Sequence, residues 1–249
     1  MSQNNIDQDH DSDMDEEFED VPITQSNNTS EPTPTPISTG ERKWTPSLSL
    51  PPQQSPPIPG SQEETQLRGR LSTGIERITY RQMKSEMGMD APDTHISHRK
   101  YESFAELSAE VEHLIDMLWA SSSPSIQTEG LITLAGIVEM ALPTHPFDGR
   151  TTLSLLHKFD SVFVALCTGF HPLTGAPLLE AGAGNSERRP LVTQTQKVRI
   201  RSLAETTRLK VFSVVGEDAE GDDDAEGWVL EATKVYDGVL MLLGDSGDM

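Results

Sequence analysis

The sequence predicts an all-α fold, a small helical bundle of four to five helices flanked by disordered acidic tails. Three observations support this prediction. Apolar residues recur at three- and four-residue steps in successive segments of the middle of the chain. Several of these segments begin at a helix-capping residue and end at glycine or proline, and no convincing apolar–polar alternation of the strand type occurs. The acidic residues, finally, are concentrated towards the two ends of the chain.

The distribution of charge and proline divides the chain into four parts. Residues 1–60 carry 11 acidic against 2 basic residues and 10 of the 17 prolines, and residues 217–249 carry 11 acidic against 1 basic residue. A segment with so few apolar side chains cannot offset the entropy lost on ordering. We therefore expect residues 1–62 to be a disordered acidic and proline-rich tail, 63–99 a linker with room for a short helix, 100–216 the helical bundle, and 217–249 an acidic linker followed by an amphipathic helix.

Three helices of the predicted bundle have recognisable ends. The first begins at Ser103 and Glu106, which form a capping box, and ends near Trp119. The second begins at Ser123, which is followed by proline, and the third ends at Gly169. Their apolar stripes consist of Phe104, Leu107, Val111, Leu114, Ile115 and Leu118, then Leu131, Leu134, Ala135, Val138 and Leu142, then Leu153, Leu156, Phe159, Phe163 and Leu166.

A fourth helix is predicted from about Thr193 to Val215, after a crossover at 170–191 that is rich in glycine and proline. Its predicted apolar side consists of Val198, Leu203, Thr207, Val211 and Val214. Basic residues line another side at four- and seven-residue spacings, namely Lys197, Arg201 and Arg208. Residues 187–210 contain seven basic and two acidic residues, the only substantial basic concentration in the sequence.

The basic side of this helix has two interpretations. Its cations are neutralised within the chain by the seven acids of residues 217–226 or by the N-terminal tail, or they dock onto an acidic partner or nucleic acid. A net charge of −21 repels the nucleic-acid backbone over most of the surface, so direct binding of nucleic acid is not expected. Lys197, Arg201 and Arg208 are therefore candidate partner-binding residues.

The residue types that carry catalysis are scattered along the chain. No phosphate-binding loop occurs, and His95 and His98 have no cysteine close by that would complete a metal site. His113 and His157 are interpreted as half-buried packing residues and Cys167 as a small core residue. The sequence thus predicts no enzyme activity, no cofactor and no metal.

Cysteine usage and hydropathy bear on the compartment. A single cysteine excludes an internal disulfide and is typical of a reducing compartment. No apolar run approaches the ~18 residues of a membrane span, and the chain opens on polar acidic residues rather than a signal sequence. We expect the cytosol or nucleus and no membrane association.

An acidic motif stands out in the N-terminal tail. Residues 13–22 read DMDEEFEDVP, so that Phe18 and Val21 stand three apart in an acidic run. Such a string is attracted to a basic groove and then buries two apolar anchors. It resembles the acidic strings by which transcription and repair factors bind the pleckstrin-homology domain of the TFIIH core, and this resemblance implies that Phe18 and Val21 bind that subunit.

The core carries a second resemblance. The strings WASSSPS at 119–125, LITLAG at 131–136, LLHKFDSVF at 155–163 and KVRIRSLAETTR at 197–208 resemble the fungal TFIIH-associated subunit of the subunit 11 type. This resemblance implies a nuclear, non-catalytic subunit that binds the XPB-type helicase and promotes its release from TFIIH. An alternative is a nuclear helical scaffold for chromatin or meiotic recombination proteins, in which the acidic tails bind histones or shield DNA-binding surfaces.

Overall fold

A computed structural model describes residues 44–88, 99–178, 191–218 and 225–244, all within one compact unit, Lys43–Met249. The all-α prediction is confirmed: in these ranges the only strand-type pairing is an isolated bridge between Phe170 and Pro177. The helices are α1 (Gln62–Glu86), α2 (Phe104–Ala120), α3 (Pro124–Ala141), α4 (Gly149–Thr168), α5 (Gln194–Asp218), α6 (Ala225–Ala232) and α7 (Asp237–Gly244), and a short 3₁₀ turn, Leu142–Thr144, follows α3.

Local sequence signals set the ends of helices α2 to α4. The hydroxyl of Ser103 accepts a hydrogen bond from the Glu106 amide at 3.3 Å, and the Glu106 carboxylate accepts one from the Glu102 amide. Helix α3 starts at a proline after its N-cap Ser123, and α4 ends at Gly169 in the left-handed conformation, φ 79°. These helix ends agree with the sequence predictions.

Helices α2, α3 and α4 build the centre of the core. Every residue of the three predicted apolar stripes is buried. Helices α2, α3 and α4 pack against one another, and α1 packs across α2 and α3. Helix α5 closes the bundle on the α3 side, so its outer face is directed away from the core.

Helix α1 differs from the sequence prediction, which had a linker with a short helix at 63–99. It runs for 25 residues, and Leu67, Leu71 and Ile78 are buried on its inner side. A Cβ at Gly74 would lie 2.8 Å from a methyl group of Leu114, so the glycine permits a close approach of α1 to α2. The apolar stripe is sparse, and contact with α2 and α3 stabilises the helix beyond what its own sequence indicates.

The described part of the N-terminal segment also differs from the predicted tail, which extended to residue 62. Residues 44–60 contain no helix or strand, yet Trp44 and Leu50 pack on the core. The amide of Gln54 donates a 2.8 Å hydrogen bond to the carbonyl of Ala120. Prolines restrict this segment before folding, so ordering it costs less entropy than the composition suggested. The prediction for residues 1–43 lies outside the described residues.

The C-terminal segment forms two short helices where one amphipathic helix was predicted. Helices α6 and α7 are separated by a turn at residues 233–236, in which Tyr236 takes a φ of 55°. The Asp160 carboxylate on α4 accepts hydrogen bonds from the amides of Gly238 and Val239 at 3.1 and 2.8 Å. This tertiary cap starts α7, and a Cβ at residue 238 would meet the same carboxylate at 2.9 Å.

Candidate partner-binding surface on helix α5

Helix α5 presents one side to the core and one to solvent. Its buried residues are Ile200, Ala204, Thr207, Val211, Val214 and Val215. Thr207, Val211 and Val214 were predicted on this side, and Leu203 is half-buried. Val198 was assigned to the apolar side incorrectly, since 61% of its surface is exposed. A helix turns about 200° over two residues, which places Val198 nearly opposite the buried Ile200.

The cations predicted to bind a partner do lie along one flank of α5, and this flank faces α7. Arg208 donates hydrogen bonds to the Val235 carbonyl at 2.7 Å and to the Asp237 carboxylate at 2.8 Å. Arg201 donates to Glu205 at 2.9 Å and to the Leu243 carbonyl at 3.5 Å. Arg208 is therefore engaged in holding the α6–α7 turn, whereas the more exposed Arg201 stands at the far end of α7.

Lys197 is half-buried one turn before Arg201. Its charge favours the thiolate of Cys167, but burial dominates and raises the pKa of this thiol to about 11. The thiol is therefore protonated at neutral pH, in agreement with its interpretation as a small core residue rather than a nucleophile.

The opposite flank of α5 is basic as well and faces α3. Arg199 forms an ion pair with Glu129 at 2.9 Å, and Lys210 forms one with Glu139 at 3.0 Å. Hydrogen bonds from Gln196 and then Arg199 hold the pKa of Glu129 below its ordinary value. Intramolecular neutralisation thus occurs, but its described acids come from α3, α7 and α5 itself. The acids to which it was assigned, those of residues 217–226 or of the N-terminal tail, have side chains outside the described residues.

Between the two basic flanks runs an outward strip with large apolar side chains. Val198 and Leu209 are 61% and 71% exposed, and Phe212 is exposed as well. On α7, Met241 is 73% exposed and Leu242 is exposed as well. The sequence analysis did not predict this strip. The helical period contains the information, because Leu209 follows the buried Thr207 by two residues and Phe212 follows the buried Val211 by one, and both steps lead away from the buried side. Leu209 and Phe212 are one helical turn apart, and neighbouring exposed apolar side chains are typical of protein–protein contact sites.

The remaining buried charges hold helices together. Arg81 on α1 is 1% exposed, binds Glu106 and Glu110 on α2, donates to the Arg99 carbonyl at 2.7 Å, and stacks over the Tyr101 ring. Burial works against ionised Glu106, but hydrogen bonds led by Arg81 more than offset this and lower the pKa of its carboxyl. The network ties α1 to the bundle.

A cleft of about 430 Å³ opens between the end of α3 and α5, lined by Pro143, Thr144, His145, Pro146, Lys210, Ser213 and Val214. The Nε2 atom of His145 lies 3.3 Å from the side-chain oxygen of Gln82, and burial lowers the pKa of the imidazole. Lys210 is already paired with Glu139. The polar groups of the cleft therefore bind other parts of the protein: His145 contacts α1, and Lys210 joins α5 to α3. We interpret their role as holding these elements together.

The other predicted residues have diverse positions. His157 is half-buried, as predicted, whereas His113 is exposed. Phe18, Val21, His95 and His98 lie outside the described residues. Among the residues that the structure describes, no group of three or more His, Cys, Asp or Glu side chains is arranged to hold a metal ion, and no helix is long and apolar enough to cross a membrane.

Comparison with known proteins identifies the family of the helical domain that contains the α5 strip. The model of the TFB6 family, described as subunit 11 of the general transcription factor TFIIH, matches residues 100–226, about half of the chain. No individual curated protein and no solved structure matches significantly. The matched region contains α2 to α5 with the α5 strip, whereas α1 and α7 lie outside it. The chain belongs to the TFB6 family, the family of TFIIH subunit 11.

Proposed function

We propose that this protein is a non-catalytic TFIIH subunit that binds the XPB-type helicase and promotes its dissociation from the complex. Membership of the family of TFIIH subunit 11 is the observation that carries this proposal, since it implies association with TFIIH and a nuclear function. The protein then acts in the nucleus during transcription by RNA polymerase II. Its action is on a partner surface and requires no chemical step.

The docking surface in this proposal is the outer side of α5. Lys197 and Arg201 contribute cations that speed association with an acidic surface on the helicase, and the exposed apolar strip contributes burial. Arg208 acts indirectly, because its contacts with Val235 and Asp237 keep α7 in place beside α5. Release follows when this surface competes with TFIIH for the same face of the helicase.

The acidic tail serves as the tether. Phe18 and Val21 bind the pleckstrin-homology domain subunit of the TFIIH core as apolar anchors within an acidic string. Two linked contacts make the second one intramolecular, which raises the effective concentration of the α5 surface near the helicase. No contact with nucleic acid or membrane is part of this mechanism.

A release assay tests the proposal. TFIIH containing the helicase is immobilised through another subunit, the full chain is added, and the helicase in the supernatant is quantified. We expect wild-type protein to release helicase and the Lys197→Glu, Arg201→Glu double variant to release at least fivefold less. Arg68→Glu, Arg70→Glu on exposed positions of α1 is the matched control, because it makes the same charge change elsewhere.

Two results would contradict the proposal. Absence of release by the wild-type chain would remove the proposed function itself. Equal release by the double variant and the wild type would leave the function in place and remove Lys197 and Arg201 from the docking surface. Circular dichroism checks that both double variants keep their helices, which matters most for the half-buried Lys197.

A further inference from the structure

Residues 44–60, which precede α1, form a strap on the surface of the bundle. Burial alternates over residues 44–50, where the apolar side chains are half-buried and the hydroxyl side chains between them, Thr45, Ser47 and Ser49, are exposed. No residue of the strap is fully buried. A segment with so little buried surface opens locally at lower cost than the helices of the core.

The strap also contacts the end of helix α2. The amide of Gln54 donates a 2.8 Å hydrogen bond to the carbonyl of Ala120, the last residue of α2. The carbonyl groups of the last turn carry the negative end of the helix dipole, and this turn contains no basic residue. A negative charge added next to Gln54 is therefore unfavourable for the contact between the strap and α2.

Ser55, the residue after Gln54, is a position where such a charge can be added. Its side chain is exposed, and Pro56 follows it in a segment that contains no helix or strand. Serine or threonine directly before proline is the pattern that proline-directed protein kinases phosphorylate, and these enzymes bind the substrate chain outside regular secondary structure. Ser55 thus combines the sequence pattern with an accessible hydroxyl group.

Two other pairs of serine or threonine with proline occur in the described residues, and neither has the same surroundings. Ser123 is half-buried in the turn that begins α3. Thr45 is exposed, but Arg42 and Lys43 precede it in the sequence, and their charges oppose that of a phosphate. Ser55 is therefore the pair at which a phosphate has the largest expected effect on the strap.

No cation lies close to Ser55 in the sequence. Residues 44–62 carry no charged side chain, and the first charges after them are the acids Glu63 and Glu64 at the start of α1. Arg68, on the next turn, is already paired with Glu64 at 2.8 Å. A phosphate on Ser55 has a charge of about −2 at neutral pH and meets the carbonyl end of α2 without a neighbouring counter-ion in the strap.

We propose that Ser55 is a phosphorylation site for a proline-directed protein kinase, and that its phosphate releases the strap around Gln54 from the end of α2. The kinase transfers the γ-phosphoryl group of ATP to the hydroxyl oxygen of Ser55, ADP leaves, and the hydroxyl proton passes to the base of the kinase. The phosphate then opposes the return of the Gln54 amide to the Ala120 carbonyl. This inference goes beyond the proposed function and does not depend on it.

The first experiment tests whether Ser55 is a substrate. The full-length protein is incubated with ATP and a purified cyclin-dependent kinase, which is proline-directed, and phosphorylated residues are mapped by mass spectrometry. We expect phosphate on Ser55, at least tenfold less in Pro56→Ala, and none on Ser47, an exposed serine of the strap followed by leucine. A wild-type chain without phosphate on Ser55, or equal modification of Pro56→Ala, would overturn the proposal.

The second experiment measures what the phosphate does. Phosphoserine is incorporated at position 55 of the full-length chain by stop-codon suppression, and amide hydrogen exchange is followed by mass spectrometry. Prolines have no exchangeable amide, so residues 51–57 report on Gln53, Gln54 and Ser55 alone. We expect the slowest of these amides to exchange at least fivefold faster with phosphoserine than with serine, and the difference to shrink at high salt, which screens the charge.

Phosphoserine at position 47 is the matched control. It adds the same charge to an exposed serine of the strap, eight residues before position 55. We expect it to leave the exchange of residues 51–57 unchanged. Unchanged exchange with phosphoserine at position 55, or equal acceleration from both positions, would overturn the proposed release of the strap.

Discussion

Replacement of Arg81 by methionine tests whether α1 is an integral part of the fold. Arg81 is almost fully buried and is the common partner of Glu106, Glu110 and the Arg99 carbonyl. Methionine keeps much of the apolar stem and removes the charge, so both carboxylates lose an ion-pair partner. The change is therefore directed at the contact between α1 and α2.

The expected loss of unfolding free energy in Arg81→Met follows from how deeply the ion pairs are buried. Removing one partner of a buried ion pair costs about 3–5 kcal/mol. Glu106 and Glu110 keep 28% and 23% of their side-chain exposure, and water compensates part of the loss, so we expect about 3 kcal/mol. At a slope of about 2 kcal/mol per molar urea, this loss moves the unfolding midpoint by about 1.5 M.

Arg77→Met is the matched control. Arg77 also binds Glu110, at 3.1 Å, but it is 40% exposed, so its loss should cost less than about 1 kcal/mol. Urea unfolding of wild type and both variants is followed by far-ultraviolet circular dichroism. If Arg81→Met is no more destabilising than Arg77→Met, the structural role assigned to the buried network is wrong.

The stability difference between wild type and Arg81→Met should depend on pH in a defined direction. The pKa of Glu106 is lowered in the folded protein, so its carboxylate stabilises the folded state above its unfolded pKa, and this contribution is lost as the pH falls through the folded pKa. The difference in unfolding free energy between wild type and Arg81→Met should therefore be largest near neutral pH and shrink as the pH falls below the ordinary range of a glutamate carboxyl. A difference that grows on acidification would contradict the assignment.

Three further predictions address the ends of the chain. In Gly149→Ala the new Cβ would lie 2.6 Å from the Trp228 indole, so we expect a red-shifted tryptophan emission although alanine favours helices; an unshifted spectrum would show that the indole is not packed there. In Asp160→Ala the cap of residues 237–244 is lost, which should destabilise α7 by about 1–2 kcal/mol and speed its amide hydrogen exchange, whereas unchanged exchange would exclude the cap. A peptide of residues 8–26 should bind the pleckstrin-homology domain in a salt-sensitive manner. Phe18→Ala should weaken this binding at least tenfold. Equal affinity of the two peptides would show that Phe18 is not an anchor and that the acidic residues serve only solubility.

The helices of the bundle could be predicted because their determinants are local. Ser103, Ser123 and Gly169 mark helix ends through the backbone groups next to them, and the apolar stripes of α2 to α4 follow the helical period closely. The family resemblance rested on the same region, and the family match covers it.

The elements that were mispredicted depend on distant contacts. Helix α1 has a sparse apolar stripe, and its length depends on Leu114 fitting against Gly74 and on Arg81 reaching α2. The break between α6 and α7 depends on a positive φ at Tyr236 and on Asp160 of α4 as the cap of α7. Neither arrangement can be predicted from a local sequence pattern, because the residues that stabilise it lie far away in the sequence.

The candidate surface shows the same division. The sequence by itself determined that α5 is a helix with Lys197, Arg201 and Arg208 along one flank, because helical periodicity is a property of the backbone. Only the tertiary structure decided that this flank faces α7, so that Arg208 is engaged inside the protein while Val198, Leu209 and Phe212 remain exposed. The physical reason is that a helix's own sequence sets which residues share a side, whereas the packing of its neighbours sets which side meets solvent.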